Sequence, residues 1–360
     1  MMKKILTIVG ARPQFIKAAA VSRAIAKFSD QLTEVMVHTG QHFDENMSAV
    51  FFNELEIPTP EHNLSISSGS HGSMTGRMLM AVEQVLVHEK PDWVLIYGDT
   101  NSTLAGAIAA AKLHIPVAHV EAGLRSFNMR MPEEVNRVLS DRVSTLLLCP
   151  TDEAVENLNR EGITGGVFNV GDVMYDVALH TRHKARNSDV LSRLNLEPGK
   201  FILATCHRQE NTDDPLRLMA IVEAFHQLSQ HTKLVLPLHP RTRKLMDERT
   251  RDRLSKVILT EPLGFLDMVA LEQAASVIVT DSGGVQKEAF FYGVPCVTMR
   301  DETEWVETVS LGWNTTVGAD TAKIISAILA ASDKKLTPPH RSPYGDGRAA
   351  EHIVEHLIRY

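Results

Sequence analysis

Acidic side chains are concentrated between Tyr97 and Arg137, where each follows an apolar run or opens a polar segment. Asp99 ends one such run within Tyr-Gly-Asp-Thr-Asn-Ser, and Glu121 ends the next within His-Val-Glu-Ala-Gly-Leu-Arg. Glu133 follows a proline in Met-Pro-Glu-Glu-Val-Asn-Arg. Acids at the carboxyl ends of neighbouring parallel strands share one crevice and repel one another, which suits them to proton transfer near neutral pH. The spacing therefore predicts acid–base chemistry.

These acids also have structural interpretations. Asp99 can cap a helix that begins just after it, and Glu133 can complement the positive end of a helix. Capping does not explain Glu121, because the Ala-Gly-Leu-Arg that follows it begins no obvious helix. Proton transfer is therefore the better interpretation of the group as a whole.

A basic loop follows the first apolar run of the chain. It runs Gly-Ala-Arg-Pro-Gln-Phe-Ile-Lys from Gly10 to Lys17 and lacks the G-x-G-x-x-G pattern, which counts against NAD binding through this turn. Pro13 is typical of the first turn of a helix, and Arg12 beside it can donate a fork of hydrogen bonds to a phosphate. The alternative is an ordinary surface arginine.

A second candidate phosphate site follows the β-branched run 277–280. The segment Asp-Ser-Gly-Gly-Val-Gln-Lys-Glu extends from Asp281 to Glu288. Two glycines let the backbone approach a ligand closely, and the N–H groups at a helix N-terminus can bind diphosphate. Glu288, further along that helix, can accept hydrogen bonds from ribose hydroxyls. The alternative is a plain strand-to-helix turn capped by Asp281 or Ser282.

Two histidines follow successive predicted strands of the second half. His207 lies in His-Arg-Gln-Glu-Asn and His239 in His-Pro-Arg, so each is close to an arginine. A lone histidine is more often a structural residue than a catalyst, but two at successive strand ends are predicted to face the same cleft. Such loops can supply the cationic and N–H donors that a leaving diphosphate requires.

Short β-branched runs alternate with amphipathic stretches along most of the chain, which predicts mostly parallel, doubly wound sheets of the α/β class. In the first half we predict strands at 4–9, 34–39, 93–97, 116–121, 145–149 and 167–170, and helices at 13–27, 45–55, 74–88, 103–113, 133–141 and 153–160. In the second half we predict strands at 201–205, 233–236, 257–260, 276–280 and 296–299, and helices at 215–228, 243–253, 265–274, 284–291 and 321–331.

The weakly periodic segment 181–200 is predicted to connect two domains. The first domain would comprise residues 1–180 and carry the acids, and the second would comprise residues 181–347. The last helix, 348–360, follows a Pro-Tyr-Gly-Asp-Gly turn and is expected to return to the first domain. Two such domains would place a cleft between them that grips a bound molecule from both sides.

Composition excludes several classes of function. The 360 residues carry a net charge of -7, which argues against affinity for nucleic acid or anionic membranes. The apolar run at the start is too short for a signal peptide, and no run is long enough to span a membrane, so we expect a cytoplasmic protein without membrane insertion. Three distant cysteines fit neither a zinc site nor a disulfide framework. Cys206, beside His207, is interpreted as a core residue rather than as a catalytic thiol.

Taken in order along the chain, the motifs resemble one known family. They are Gly-Ala-Arg-Pro-Gln-Phe-Ile-Lys, Tyr-Gly-Asp-Thr-Asn-Ser-Thr, His-Val-Glu-Ala-Gly-Leu-Arg, Met-Pro-Glu-Glu-Val-Asn-Arg, Leu-Pro-Leu-His-Pro-Arg and Thr-Asp-Ser-Gly-Gly-Val-Gln-Lys-Glu. The chain resembles the non-hydrolysing UDP-N-acetylglucosamine 2-epimerases almost from end to end. The resemblance implies a GT-B-type architecture of two Rossmann-like domains, a homodimer, and no cofactor or metal.

The resemblance also implies a reaction and a set of site residues. UDP-GlcNAc and UDP-ManNAc interconvert through anti elimination of UDP to a 2-acetamidoglucal, followed by return of UDP. Asp99, Glu121 and Glu133 match the catalytic acids, with two of them moving the C2 proton, and His207 would assist the leaving diphosphate. The residues that match UDP-sugar-binding positions are Arg12, Lys17, Arg137, His239, Ser282, Gly283, Gly284 and Glu288.

Three stretches depart from the common pattern of the family. Gln14 replaces a glutamate, and Thr-Glu-Trp-Val-Glu at 303–307 replaces Thr-Glu-Arg-Pro-Glu. The residues after His42 differ from those of members with an allosteric UDP-GlcNAc site, so the resemblance does not extend to that site. These variants resemble the subgroup that acts on UDP-2,3-diacetamido-2,3-dideoxy-glucuronate in O-antigen synthesis. Loss of a negative charge at Gln14 is in the direction expected for a uronate substrate.

Three other functions remain open on the sequence. A retaining GT-B glycosyltransferase would use two such domains and basic loops, but it would not need three acids in its first domain. A hydrolysing epimerase would share the fold and would differ in its products. A catalytically silent nucleotide-sugar-binding protein would keep the phosphate loops while its acids were dispensable, whereas all the acids are present here.

Overall fold

The computed structural model describes residues 2–41, 57–238, 240–332, 336–337, 340 and 342–360. Three of the predictions therefore lie outside the described residues. They concern the helix 45–55, the segment that follows His42, and the residue His239. The chain divides into two compact units, Met1–Leu179 with Arg341–Tyr360, and His180–His340.

The first unit contains a seven-stranded parallel sheet in the order β3-β2-β1-β4-β5-β6-β7. Its strands are β1 Lys3–Val9, β2 Leu32–His38, β3 His62–Asn63, β4 Trp93–Tyr97, β5 Val117–Val120, β6 Leu146–Cys149 and β7 Val167–Asn169. Its helices are α1 Arg12–Ala26, α2 His71–Glu89, α3 Asn101–Lys112, α4 Pro132–Val143 and α5 Asp152–Arg160, with α6 Val173–Lys184 leading into the second unit.

The central strands of this sheet are buried throughout because helices cover both of their faces. All five residues of β4, Trp-Val-Leu-Ile-Tyr, are buried, as are all four of β5. Continuous burial of this kind is typical of parallel sheets, whose crossover helices exclude water from each face. The polar residues that follow these strands therefore emerge together at the carboxyl edge.

The C-terminal segment belongs to the first unit. Its helix, Ala349–Arg359, presents a buried stripe that includes Ile353, Val354 and Leu357. The Asp176 carboxylate accepts hydrogen bonds from the N–H groups of Ala349 and Ala350, at 3.1 and 2.8 Å, and so satisfies the start of this helix.

The second unit contains a six-stranded parallel sheet in the order β10-β9-β8-β11-β12-β13. Its strands are β8 Phe201–Thr205, β9 Lys233–Pro237, β10 Ile258–Thr260, β11 Val277–Thr280, β12 Cys296–Thr298 and β13 Asn314–Thr316. Its helices are α7 Val190–Arg193, α8 Gln209–Thr212, α9 Pro215–Ser229, α10 Pro240–Leu245, α11 Glu248–Arg253, α12 Phe265–Ala274, α13 Gly283–Tyr292, α14 Val306–Ser310 and α15 Thr321–Ser332; the C-terminal helix Ala349–Arg359 is α16.

The prediction of doubly wound parallel sheets is confirmed in both units. The single helix predicted at 243–253 is wrong, because the chain breaks after Leu245 and starts a new helix at Glu248. Asp247 causes the restart, since its carboxylate accepts a hydrogen bond from the N–H of Thr250 at 2.8 Å and caps the second helix. In the described part of the chain, no helix is long and apolar enough to cross a membrane.

Candidate active site

Each sheet has one point at which the strand order reverses, and loops that follow the strands there form the usual ligand site of open α/β sheets. In the first unit this point lies between β1 and β4, and in the second it lies between β8 and β11. The segments that begin at Gly10, Gly98, Cys206 and Asp281 follow these four strands. Arg12, Asp99, His207 and the turn 281–284 are therefore at the switch points, whereas Glu121 follows the neighbouring strand β5 and Glu133 lies on α4.

Gln14 joins the two loops at the switch point of the first unit. Its Oε1 accepts hydrogen bonds from the N–H groups of Gly10 and Ala11, at 2.8 and 3.0 Å. Its Nε2 donates to the Tyr97 carbonyl oxygen at 2.8 Å and to Thr103 at 3.0 Å. In this chain the amide is thus fully used inside the protein, both as a donor and as an acceptor.

Gln14→Glu should destabilise the protein by about 1–3 kcal/mol, because a carboxylate cannot donate to the Tyr97 carbonyl oxygen that it would face. Equilibrium unfolding in urea measures this change. The control is Gln31→Glu, an exposed glutamine of the same unit, which should leave the free energy of unfolding unchanged. Equal stability of the two variants would contradict this role for Gln14.

Asp99 is held by helix α4. Gly98 before it adopts a φ of +61°, which glycine tolerates and which turns the chain out of β4. The Asp99 carboxylate accepts a hydrogen bond from Nη2 of Arg137, and the Asp99 carbonyl oxygen accepts one from Asn136 at 2.9 Å. Because Arg137 also donates to Glu134 at 3.0 Å, its guanidinium is fixed on both sides.

Glu121 is the most constrained of the predicted acids. Its φ is +72°, a left-handed conformation that costs a residue with a side chain about 1–3 kcal/mol. Its carboxylate accepts a hydrogen bond from the Lys17 ammonium, and both side chains are about nine-tenths buried, with exposures of 10% and 11%. A non-glycine residue is kept in such a conformation where the surrounding structure determines its direction, which is typical of functional sites.

The turns that carry the two acids meet at Gly98. A Cβ atom placed on Gly98 would lie 3.3 Å from Oε2 of Glu121 and 3.4 Å from Nζ of Lys17. Asp99 follows Gly98 directly, so one turn brings Asp99, Glu121, Lys17 and Arg137 together. Sequence analysis predicted each of these four residues for the site.

Glu133 and its neighbour Glu134 have different environments on the first turn of α4. Glu133 is half-buried, whereas Glu134 is buried and accepts hydrogen bonds from the N–H groups of Ser126 and Phe127, both at 3.0 Å. Glu134 thus holds the loop 126–131 in place, and Glu133 lies on the helix whose next turn contacts Asp99. Arg12 lies half-buried on the first turn of α1.

Asp281 organises the switch point of the second unit. It is fully buried and accepts hydrogen bonds from the N–H groups of His207 and Arg208, each at 3.0 Å, and from Nδ2 of Asn211 at 3.2 Å. Nδ1 of His207 lies 3.6 Å from the same carboxylate, and the His207 ring is one-third exposed. Sequence analysis treated Asp281 only as a capping residue. Its position directly after β11 was the available signal for this larger role.

The Gly-Gly turn begins helix α13. Ser282 caps the helix by accepting a hydrogen bond from the N–H of Val285. A Cβ atom on Gly283 would lie 2.6 Å from Oε1 of Glu304, so that position excludes larger residues. A Cβ atom on Gly284 would meet nothing closer than Ser282 Oγ at 3.9 Å and Glu288 Oε2 at 4.0 Å. The first turn of α13 is therefore open at Gly284, with Glu288 beside the opening.

A buried arginine links the loops around this turn and was missed by sequence analysis. Arg300 is 1% exposed, and its Nη1 donates to Glu304 at 2.9 Å. Its Nε lies 3.3 Å from the carboxylate of Glu210 on α8. Burial raises the pKa of Glu210, which the charges of Arg300 and two other arginines oppose. Arg300 thus links Glu210, in the segment that follows His207, to Glu304, whose carboxylate lies against Gly283.

Trp305 is one of the two residues, with Val306, that depart from the common Thr-Glu-Arg-Pro-Glu pattern. It is 3% exposed, and the Lys287 ammonium lies 3.8 Å from the centre of its ring. A cation over the face of an indole is attracted by the ring quadrupole, so this tryptophan packs against a buried cation on α13.

Cys206 is confirmed as a core residue. It is buried, and burial followed by the charge of Asp281 raises the pKa of its thiol well above the ordinary value. A thiol that stays protonated is a poor nucleophile. Within the residues described, no group of three or more His, Cys, Asp or Glu side chains is arranged to hold a metal ion.

Comparison with known proteins identifies the family. The family model for UDP-N-acetylglucosamine 2-epimerase matches residues 24–358. The chain is 54% identical over 360 residues to a UDP-2,3-diacetamido-2,3-dideoxy-D-glucuronate 2-epimerase of Pseudomonas aeruginosa, covering 99% of both chains.

Solved structures show the same relationship. The crystal structure of Methanocaldococcus jannaschii UDP-GlcNAc 2-epimerase in complex with UDP-GlcNAc and UDP is similar, with a TM-score of 0.92, 43% identity and full coverage of both chains. The Neisseria meningitidis UDP-GlcNAc 2-epimerase bound to UDP-GlcNAc has a TM-score of 0.89 and 32% identity, covering 99% of this chain and 100% of that one. The predicted GT-B-type fold is thereby confirmed, and the chain belongs to the UDP-N-acetylglucosamine 2-epimerase family.

Proposed function

We propose that this protein epimerises C2 of a UDP-2-acetamido sugar without hydrolysing it, by anti elimination of UDP to a 2-acetamidoglucal and re-addition of UDP. The observation that carries this proposal is that the turns of Asp99 and Glu121 meet at Gly98, with each carboxylate fixed by its own cation. Two rigidly held carboxylates at one turn suit a reaction that takes a proton from one face of a carbon and returns it to the other.

The elimination route follows from the chemistry of the substrate. The C2 hydrogen is not α to a ketone or carboxyl group, so its removal alone would leave an unstabilised carbanion. When the C–H electron pair forms the C1–C2 double bond as the C1–O bond to UDP breaks, the charge leaves on the diphosphate. Re-addition of UDP with a proton delivered to the opposite face of C2 gives the epimer.

The roles in the first unit are assigned from the resemblance, and its contacts support them. Two of Asp99, Glu121 and Glu133 remove and return the C2 proton, and the third orients the sugar. Lys17 and Arg137 hold the carboxylates of Glu121 and Asp99 in fixed directions. Such fixed geometry lowers the entropic cost of reaching the transition state.

The roles in the second unit concern UDP. The Ser282 hydroxyl and the N–H groups of Gly283 and Gly284 receive the diphosphate at the N-terminus of α13, and Glu288 accepts hydrogen bonds from the ribose. His207, oriented by Asp281, stabilises charge on the leaving diphosphate. By resemblance, Arg12 and His239 also bind UDP.

The substrate we favour is UDP-2,3-diacetamido-2,3-dideoxy-glucuronate. Support comes from the Pseudomonas aeruginosa relative, which is named for that sugar and is 54% identical over 99% of both chains. UDP-GlcNAc is the alternative substrate. We further propose that the enzyme acts in the cytoplasm as a homodimer, in the synthesis of a surface polysaccharide such as an O-antigen.

Product analysis by NMR tests the function. Each of the two UDP-sugars is incubated with the protein without an acceptor. We expect one of them to yield a mixture with its manno epimer, with UDP still attached. Free 2-acetamido sugar with stoichiometric UDP would instead indicate a hydrolysing epimerase. No reaction until an acceptor is added would indicate a glycosyltransferase, and tight binding without any reaction would indicate a silent binding protein.

Gly284→Ala should weaken UDP binding while stabilising the fold. The protein leaves room for the added methyl group, and replacing a helical glycine by alanine stabilises a protein by about 0.4–1 kcal/mol. The methyl group would nevertheless occupy the space that we assign to the diphosphate. Calorimetric titration with UDP, together with thermal unfolding, measures both effects.

The matched control is Gly76→Ala, another helical glycine around which a Cβ atom meets nothing within 4 Å. It should raise the stability to a similar extent and leave UDP affinity unchanged. Normal UDP affinity in Gly284→Ala would place the diphosphate elsewhere.

A further inference from the structure

A buried histidine lies beneath the two acid-bearing turns of the first unit and has no part in the mechanism so far. His119 is on β5, two residues before Glu121, and is completely buried. Its Nε2 lies 2.7 Å from the Gly98 carbonyl oxygen, and its Nδ1 lies 2.7 Å from Oδ1 of Asp141. The ring therefore contacts the residue that precedes Asp99.

The partner of His119 contacts the other turn. Oδ2 of Asp141, on α4, accepts a hydrogen bond from the N–H of Gly123 at 3.1 Å. Gly123 has a φ of +80°, and a Cβ atom on it would lie 2.3 Å from the Ala154 carbonyl oxygen, so its position is tightly determined. One hydrogen-bonded chain thus runs from Gly98 through His119 and Asp141 to Gly123.

We propose that His119 and Asp141 are positioning residues that fix the Gly98–Asp99 turn and the Glu121–Gly123 turn relative to each other. The inference rests on the proposed function, because it assigns Asp99 and Glu121 to proton transfer. Neither His119 nor Asp141 touches the substrate, and their effect is exerted on the direction of the acids.

The two hydrogen-bond partners of His119 indicate which of its ring nitrogens carry a hydrogen. A carbonyl oxygen only accepts hydrogen bonds, so Nε2 of His119 carries a hydrogen toward Gly98. An ionised Asp141 also accepts, so Nδ1 carries a second hydrogen. Burial acts to raise the pKa of Asp141, but hydrogen bonds and charge from His119 and Arg125 outweigh it and hold that pKa below the ordinary value.

Arg125 secures the carboxylate from the other side. Its Nη1 donates to Asp141 at 2.7 Å, and its Nε and Nη2 form a bidentate pair with Glu161 at 2.6 and 2.9 Å. Asp141 is therefore held by a histidine, an arginine and a backbone N–H at once. Such a fully satisfied buried network is rigid, which is what an accurately directed pair of acids requires.

The test compares His119→Gln and Asp141→Asn with the wild type. Asp141→Asn keeps the shape of the network but offers an N–H to Nδ1, so the ring would keep only the hydrogen on Nε2. We expect kcat to fall about 10²-fold in both variants, as for a small misplacement of catalytic groups, with unchanged UDP affinity. We also expect more 2-acetamidoglucal to escape per turnover, because misdirected acids return the proton slowly.

The control is His62→Gln, which breaks another histidine–carboxylate pair of the same unit, with Glu89 at 2.8 Å near the start of β1. It should leave kcat and glycal release unchanged. Nitrogen-15 NMR of the wild-type protein should show two ring hydrogens on His119, and this measurement decides the ring state even if His119→Gln does not fold.

A folded Asp141→Asn with wild-type kcat and glycal release would overturn the proposal, as would a single ring hydrogen on His119. A loss of kcat in step with a loss of UDP affinity would also overturn it, because it would indicate general unfolding. Absence of epimerase activity in the wild type would instead refute the proposed function, so the two failures are distinguishable.

Discussion

Glu121→Gln should reduce kcat by about 10²–10⁴-fold, the range that general acid–base groups contribute, while UDP affinity stays unchanged. The amide keeps the size of the side chain, and its oxygen can still accept the hydrogen bond from Lys17. What the variant loses is the ability to take or give a proton. The variant also removes the charged partner of the buried Lys17 ammonium, so we expect some loss of stability, and thermal unfolding must confirm that the variant is folded under the assay conditions.

Steady-state kinetics with the better of the two UDP-sugars, combined with calorimetric titration of UDP, measures this effect. Asp99→Asn and Glu133→Gln should behave in the same way. The control is Glu156→Gln, a carboxylate of the same unit with 54% of its side chain exposed, which should have wild-type kinetics. Near-normal turnover in all three acid variants would reduce Asp99, Glu121 and Glu133 to structural residues.

His207→Asn should lower kcat by about 10²–10³-fold, the loss typical of removing one electrostatic contact to developing charge. The fold should persist, because Asp281 binds the backbone N–H of residue 207 and not only its ring. The ring is one-third exposed next to the Gly-Gly turn, where we place the diphosphate. Its loss should therefore slow departure of UDP more than it weakens binding of the nucleotide.

Rapid-mixing kinetics can follow formation of the glycal in a single turnover and so isolate the elimination step. His226→Asn is the control, since the ring of that half-buried histidine on α9 of the same unit bonds the Arg253 carbonyl oxygen, at 2.7 Å. An elimination rate equal to that of the wild type in His207→Asn would exclude this histidine from leaving-group assistance.

Part of the site can be predicted from the sequence, because the ends of the strands can be predicted. Asp99 and Glu121 each terminate a β-branched run, and parallel topology brings such ends to one edge. The same logic identifies the Gly-Gly turn after β11. Lys17 and Arg137 could be added only through the resemblance, since neither has a local signal of its own.

The residues that support the site, such as His119 and Arg300, could not be predicted because their roles depend on tertiary contacts. A histidine inside an apolar run, such as His119, is typical of a satisfied core residue, and its partners are 21 and 22 residues away in the chain. Arg300 likewise follows a short strand without any pattern that signals burial. Each acquires its role only from side chains that folding brings to it.

For Gln14 the sequence suggested one cause for the residue, and the structure shows another. Its neutral amide was predicted to favour a uronate by removing a negative charge. In the structure the amide bonds Gly10, Ala11 and Tyr97, so both of its polar groups have partners inside the protein. Any effect on the choice of sugar would act through charge alone.

The most direct test of the central claim is epimerisation in D₂O, followed at C2 by NMR. The proposed route removes the C2 hydrogen as a proton and returns one from solvent-exchanged acids. We therefore predict deuterium at C2 of the manno product, and of recovered substrate as equilibrium is approached. Formation of the epimer with its original hydrogen retained at C2 would contradict proton transfer by Asp99, Glu121 and Glu133.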